Sequence, residues 1–277
     1  MSFSCLISCY KKDVPDDLKK CLTSLVNQTR PADEIVFVKD GKLTVDLENV
    51  LLEFKSKLPL IFISLKDNKG LGNALKVGLE SCSNEIIIRM DTDDVCYPRR
   101  FEMQFNFMMN NPIIDILGTW AHDINANDEI IGERKYPTEH RHIYKLIWAI
   151  PIIHPSVAFR KSKILDIGSY DSELSRRQDY DLWLRSAYNG FIFGNIPEFL
   201  IKYRFTENYY NKNSTKVAFA QAMMGVKAIK KLKLPLYVYI AVFVPLLRSL
   251  LPLFLIGYFH KLMNKVDPRR EITKNMN

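Results

Sequence analysis

No cysteine pair at C-x-x-C spacing occurs in this chain, and its five cysteines, Cys5, Cys9, Cys21, Cys82 and Cys96, all fall before position 100. An odd number without regularly spaced histidine partners excludes a disulfide framework and argues against a structural zinc site. Cys5 and Cys9 are expected to fill one face of a strand as small apolar groups. Glycine is also sparse where a dinucleotide site would need it: "GLG" at 70–72 lacks the third glycine of that fingerprint. Repeats and low-complexity linkers are missing. No basic leader precedes the first apolar residues of "MSFSCLISCYKKDVPDD", so no secretion signal is read and the bulk of the protein is expected to start in the cytoplasm.

An excess of positive charge is absent from most of the chain. The net charge is +8, but residues 216–277 hold eleven Lys or Arg against two acidic residues, leaving 28 basic against 29 acidic in residues 1–215. Basicity confined to a tail and interleaved with apolar residues points to an anionic membrane surface and away from a nucleic-acid groove. The rest is ordinary globular composition, 277 residues with 47% hydrophobic and 25% charged, enough for one large domain or two small ones sharing a core.

In the first hundred residues the pattern alternates. The runs "SCLISC", "EIVFVK", "LIFIS" and "EIIIRM" read as strands; between them lie helical patterns at 15–27, near 43–57 and through Leu71, Leu75 and Leu79. Strand–helix alternation of this kind specifies an α/β fold with a parallel sheet, whose ligands bind beyond the carboxyl ends of the strands. Tyr10, Asp40 and the acidic cluster at 91–94 are therefore expected on one rim. The second half reads as a mixed region: a helix through "RRFEMQFNFMMNN", strands at "IIDILG" and "HPSVAFR", and a helix at "QDYDLWLRSAYNG". Residues 236–259 form an apolar run broken by Arg248, Pro245 and Pro252, with basic flanks at Lys227, Lys230, Lys231, Lys233, Lys261, Lys265, Arg269 and Arg270. The run is long enough to span a bilayer. Its prolines, its mid-run charge and positive residues on both sides favour in-plane or re-entrant insertion over a full crossing.

The chemistry concentrates in "EIIIRMDTDDVCYPRR", where an apolar strand stops on Asp91, Asp93 and Asp94. Carboxylates so close oppose one another's ionisation unless a cation is near. Mg2+ or Mn2+ prefers such oxygens and keeps positions open for phosphate. Alternate residues of a strand share a face, so Arg89, Asp91 and Asp93 would combine a phosphate partner with metal ligands. The tripeptide alone leaves a solvated acidic turn equally open.

With its surroundings the pattern becomes specific. In order, "SCLISCY" with "LTSLVNQTRPADEIVFVKDG", then "DNKGLGNALKVGLESCSNEIIIRMDTDDVCYPRRFEMQ", "HPSVAFRK" and "QDYDLWLR" resemble the inverting, GT-A-fold glycosyltransferases of family 2 that build bacterial surface polysaccharides, from Ser4 to about Arg204. The resemblance implies a GT-A domain over 1–215, with a nucleotide-sugar half at 1–100 and an acceptor half at 101–215, followed by a membrane-associating segment at 216–277. It implies that Asp40 binds the uracil or ribose, that Asp91 approaches the ribose and that Asp93 carries the Mn2+ or Mg2+ bridging to the diphosphate. Asp179 would be the catalytic base. From the residues themselves, Trp183, one helical turn from Asp179, is expected to wall the acceptor sugar and His154 to contact phosphate or acceptor, with Tyr10, Asn68 and Arg89 completing the expected nucleotide-sugar site.

The residues themselves leave simpler roles open: Asp40 as a turn residue, Asp179 as a helix-end group, His154 as a buried hydrogen-bonded ring and Trp183 as core. Gln178 departs from relatives that carry Glu there, which leaves one carboxylate for the base. The implied partners are a UDP-sugar and a polyprenyl-diphosphate-linked saccharide at the cytoplasmic face of the inner membrane. Several spanning helices and a Q-x-x-R-W motif, marks of processive members, are not found. Two rivals are a sugar nucleotidyltransferase, which would need a Gly-rich, Arg-containing loop after the first strand, and a non-catalytic nucleotide-binding scaffold.

Overall fold

A computed structural model of the chain describes residues 1–205 and 215–252, together with positions 255, 258, 263, 267 and 268. Its first half follows the alternation: β1 (Phe3–Cys9), α1 (Pro15–Val26), β2 (Glu34–Lys39), α2 (Val45–Phe54), β3 (Leu60–Ser64), α3 (Leu71–Ser81) and β4 (Ile86–Asp91). β1, β2 and β4 are buried along nearly their whole length, as unbroken apolar runs in a parallel sheet should be. Pro15 at the start of α1 and Asp16 and Asp17 in its first turn suit a helix N-terminus. The apolar stripe Leu18, Cys21, Leu22 and Leu25 turns that helix onto the sheet.

After β4 come β5 (Val95–Cys96), α4 (Arg100–Asn110), β6 (Ile116–Ile124), β7 (Ile130–Arg134), α5 (His140–Lys145), β8 (Ala158–Arg160), α6 (Lys161–Asp166), α7 (Gln178–Tyr188) and β9 (Phe193–Arg204). All nine strands join one mixed sheet in the order β3-β2-β1-β4-β8-β6-β9-β5, with β7 paired to the outer part of β6. The β3-β2-β1-β4 portion is parallel. β8 runs antiparallel to β4 and to β6. One face packs Cys5, Ile7, Phe37 and Ile88 against α1, α2 and α4. The other packs Leu6, Val38 and Ile87 against α3 and α7. Cys5 and Cys9 share the first face, as expected, and burial pushes every cysteine thiol up, Cys82 to about 12.

Three expectations shift. The strand expected over 154–160 begins only at Ala158, because Pro155 has no N–H to give a ladder and residues His154–Ser156 form a 3-10 turn. The strand expected at 113–118 starts at Ile116 and runs on to Ile124. β9, not foreseen, is interrupted in pattern by Pro197: its pairing with β6 slips between Thr119 and Ala121, where Ile196, Phe199 and Ile201 are the successive partners.

Beyond β9, α8 (Thr215–Leu232), α9 (Tyr237–Ala241) and α10 (Val244–Leu250) follow. The apolar run at 236–259 is thus broken near Pro245 and Pro252, and no helix among the described residues is long and apolar enough to cross a membrane. Positions 253, 254, 256, 257 and 259 of that run, with Lys261, Lys265, Arg269 and Arg270, lie outside the described residues. α8 packs on α7 through Gly225, where an added Cβ would stand 2.7 Å from Val242 and 2.9 Å from the Tyr180 hydroxyl. Overpacking of this kind costs about 1–3 kcal/mol. Gly225→Val should therefore lose about that much in urea unfolding, whereas Leu236→Ser, at a side chain 83% exposed, should stay within about 0.5 kcal/mol of wild type.

Candidate active site

β1 lies between β2 and β4, so the chain order reverses across it and the ends of the three strands diverge into a crevice. The register sets Cys9 beside Lys39 and Ser8 beside Asp91. Residues that follow these strands must emerge side by side. A cleft of about 470 Å3 opens there, lined by Tyr10, Asp40, Asn68, Arg89, Asp91, Asp93, His154 and Asp179. Eight of the nine positions singled out in the sequence thus meet in one cavity.

Asp40 is buried, and its carboxylate accepts from the amides of Lys69 and Gly70, both at 2.9 Å. The Asn68 side chain donates to the Asp40 carbonyl at 3.3 Å. Asp40 therefore shapes the 68–70 loop, and Gly41 permits the close approach: at φ 82, an added Cβ would sit 2.7 Å from the Asn68 nitrogen. Asp179 sits in the first turn of α7, after Arg177 in the left-handed region at φ 67.

The acidic turn is the densest charge in the cleft. Oxygens of Asp91, Asp93 and Asp94 lie within 4.8 Å of one another. Burial, with Asp93 and Asp91 adding to it, pushes the Asp94 carboxyl well above the usual carboxylate range. Its Oδ1 accepts from the Arg204 amide at 2.8 Å, while the buried Oδ2 has no hydrogen-bond partner. An orphaned buried oxygen beside two further carboxylates is a donor set of the kind that hard divalent cations take, so the residues fit Mg2+ or Mn2+. Asp13 braces the turn from the β1 side, its Oδ2 accepting from the Thr92 hydroxyl at 2.9 Å and the Tyr10 amide at 3.1 Å. Burial raises the Asp13 carboxyl, and burial together with Asp13 raises the Tyr10 phenol.

Behind the cleft lies a buried layer. Arg89, 1% exposed, pairs through Nη2 with the Asp91 carboxylate, whereas Asp93, expected on the same strand face, lies in the turn beyond the end of β4. His154 meets the Tyr170 hydroxyl through Nε2 at 3.0 Å. Trp183 is not brought to the cleft. It is fully buried in the second core, edge-on to the His154 ring at 5.8 Å, so the expected acceptor wall is instead a support behind His154. Asp13, Arg176, Arg177 and Tyr203, which the sequence does not single out, also line the cavity. The signals available were an acid just before Pro15 and two consecutive arginines just before α7; nothing in the sequence marked Tyr203.

A family model described as Glycosyl transferase family 2 matches residues 4–168. The amylovoran biosynthesis glycosyltransferase AmsE of Erwinia amylovora is 40% identical over 213 residues, 76% of this chain and 79% of that protein. The UDP-Gal:alpha-D-GlcNAc-diphosphoundecaprenol beta-1,3-galactosyltransferase of Escherichia coli is 35% identical over 206 residues, 74% of each chain. Among solved structures, S. aureus TarS 1-349 in complex with UDP-GlcNAc has a TM-score of 0.68 at 17% identity, covering 90% of this chain and 72% of that one. That likeness carries the fold, a GT-A-like mixed sheet. The chain belongs to glycosyl transferase family 2 and is a glycosyltransferase of polysaccharide biosynthesis.

Burial, and then the charge of Arg89, hold the His154 imidazole well below its ordinary value of 6.5. The folded protein keeps this ring neutral where the unfolded chain takes up a proton. The contribution of this ring to stability must then fall as pH drops beneath about 6.5, by up to about 1.4 kcal/mol per pH unit, against an opposite contribution from the raised Asp94 and Asp13 carboxyls. In denaturant titrations between pH 7 and pH 5, His154→Gln should flatten part of that slope, the remainder coming from His122 and His140, which burial also lowers. An unaltered slope would contradict the neutral buried ring.

Proposed function

We propose that this enzyme transfers a hexose or N-acetylhexosamine, with inversion, from a UDP-sugar to a hydroxyl of a polyprenyl-diphosphate-linked saccharide in O-antigen or exopolysaccharide synthesis. The observation that carries the reading is the meeting of Asp40, Asp91, Asp93 and Asp179 around one cavity at the strand ends. It is supported by the UDP-GlcNAc complex of the similar TarS fold and by the lipid-linked substrate in the name of the Escherichia coli relative.

In this reading Asp40, Asn68 and Tyr10 receive the nucleoside, Asp91 the ribose and Arg89 the phosphate side of the cleft. Asp93, with its neighbours in the turn, would hold Mg2+ or Mn2+, which supplies positive charge to the diphosphate as it becomes a leaving group. Asp179 accepts the proton of the acceptor hydroxyl as that oxygen bonds to the anomeric carbon. The bond from that carbon to the diphosphate oxygen breaks on the opposite side, UDP departs with the electron pair, and the configuration inverts. His154, neutral and tethered to Tyr170, offers its remaining edge to the acceptor side.

Residues 1–215 form the transferase domain in this account, and the helices α8 to α10 bring the chain to the cytoplasmic face of the inner membrane, in plane or re-entrant. The exposed apolar side chains of Leu236, Tyr237, Ile240, Leu247 and Leu250 suit such a surface, with Lys227, Lys230, Lys231 and Lys233 beside them for anionic lipid.

The test is incubation of membranes holding the protein with a panel of radiolabelled UDP-sugars, Mn2+ and a synthetic lipid diphosphate saccharide. Lipid-linked label should form with one donor and vanish in EDTA. Asp179→Asn should cut transfer by about 10²–10⁴-fold while UDP affinity stays near wild type. Undiminished transfer by Asp179→Asn would remove Asp179 as the base, absence of transfer from every donor would favour the scaffold reading, and donor hydrolysis without lipid-dependent transfer across the panel would remove the acceptor.

A further inference from the structure

Arg204 ends β9 with a guanidinium that is 1% exposed. Its Nε donates to the Asp93 carbonyl at 2.8 Å, Nη1 to the Asn125 carbonyl at 2.9 Å and Nη2 to Asp128 Oδ1 at 2.6 Å. Asp17 Oδ1 lies 3.3 Å from Nε. The Arg204 amide donates to Asp94 Oδ1 at 2.8 Å. One residue of the acceptor half thus ties the acidic turn to the start of α1 and to the turn between β6 and β7.

The turn needs such a tie. Three carboxylates within 4.8 Å of one another push it open. Thr92, bonded to Asp13, restrains one side only. Arg204 restrains the other through the Asp93 main chain. Burial alone would raise the Asp128 carboxyl, yet hydrogen bonds from Lys20 and Arg204 hold it below its ordinary range, which keeps an anion behind the fork. Only a planar fork reaches these separate acceptors at once; an ammonium is a single point of charge.

We propose that Arg204 is a positioning residue that presets the acidic turn for a divalent cation, an inference that rests on the sugar-transfer reading above. Outer partners of this kind change metal affinity without touching the metal.

The test titrates Mn2+ into the metal-free full chain, following free Mn2+ by electron paramagnetic resonance, and measures UDP affinity by calorimetry at saturating Mn2+. Arg204→Lys should weaken Mn2+ binding by about 10-fold or more, with UDP affinity restored once Mn2+ saturates. Should that variant misfold, Asp128→Asn decides: Asp128 lies at φ 66, a conformation asparagine adopts readily, so the turn survives while the fork loses its anion. It should show a smaller loss in the same direction in a protein that still melts cooperatively, at a somewhat lower temperature because the ion pairs with Lys20 and Arg204 are lost. Wild-type Mn2+ affinity in Asp128→Asn, or in a folded Arg204→Lys, overturns the strut while leaving sugar transfer standing. A wild-type protein that takes up no Mn2+ overturns the cation reading and the strut with it.

Discussion

The repulsion among Asp91, Asp93 and Asp94 is the constraint around which the rest of the molecule is arranged. In water such a cluster would spread; here β4 delivers it to the reversal point of the sheet, where neighbours on every side limit its movement. Arg89 meets Asp91 from behind, Asp13 takes the Thr92 hydroxyl, and Arg204 holds the Asp93 carbonyl with its side chain and the Asp94 carboxylate with its amide. The Oδ2 of Asp94 is buried without a hydrogen-bond partner among the described residues. A hard cation is the partner this chemistry favours, and a diphosphate is what such a cation brings.

Buried arginines connect this turn to the second half of the chain. Arg100, fully buried in α4, donates to the carbonyls of Arg89 and Pro155 at 2.6 and 2.8 Å. It thereby joins β4 to the 3-10 turn that carries His154. Arg204 makes the corresponding link from β9. A guanidinium suits this work because its fixed donors satisfy several carbonyls at once, and a buried charge so surrounded is costly to disturb. The parallel strands and the second half of the chain are therefore fastened together at the acidic turn itself. The outer helices extend that mechanical unit, since Gly225 of α8 lies against Tyr180, the neighbour of Asp179.

What was legible in the sequence follows from the range of the interactions. The first four strands are continuous apolar runs and their helices carry regular stripes, so both announce themselves locally. The cleft followed, because strand ends in a parallel sheet have a known destination. β9 was illegible because Pro197 and its bulge break the period that a strand is recognised by. Trp183 was misplaced because spacing along α7 says which residues share a side, and not which side faces the cleft. Arg204 and Asp13 were missed for a related reason: their importance lies in partners 110 and 79 residues distant, pairings only the fold creates.

A crystal soaked with UDP and Mn2+ tests the central claim most directly. Manganese should appear in contact with Asp93, bridging to the diphosphate, with the uracil end toward Asp40 and the Arg204 fork unmoved. Ligand lodged elsewhere, with the acidic turn facing only solvent, would contradict the account.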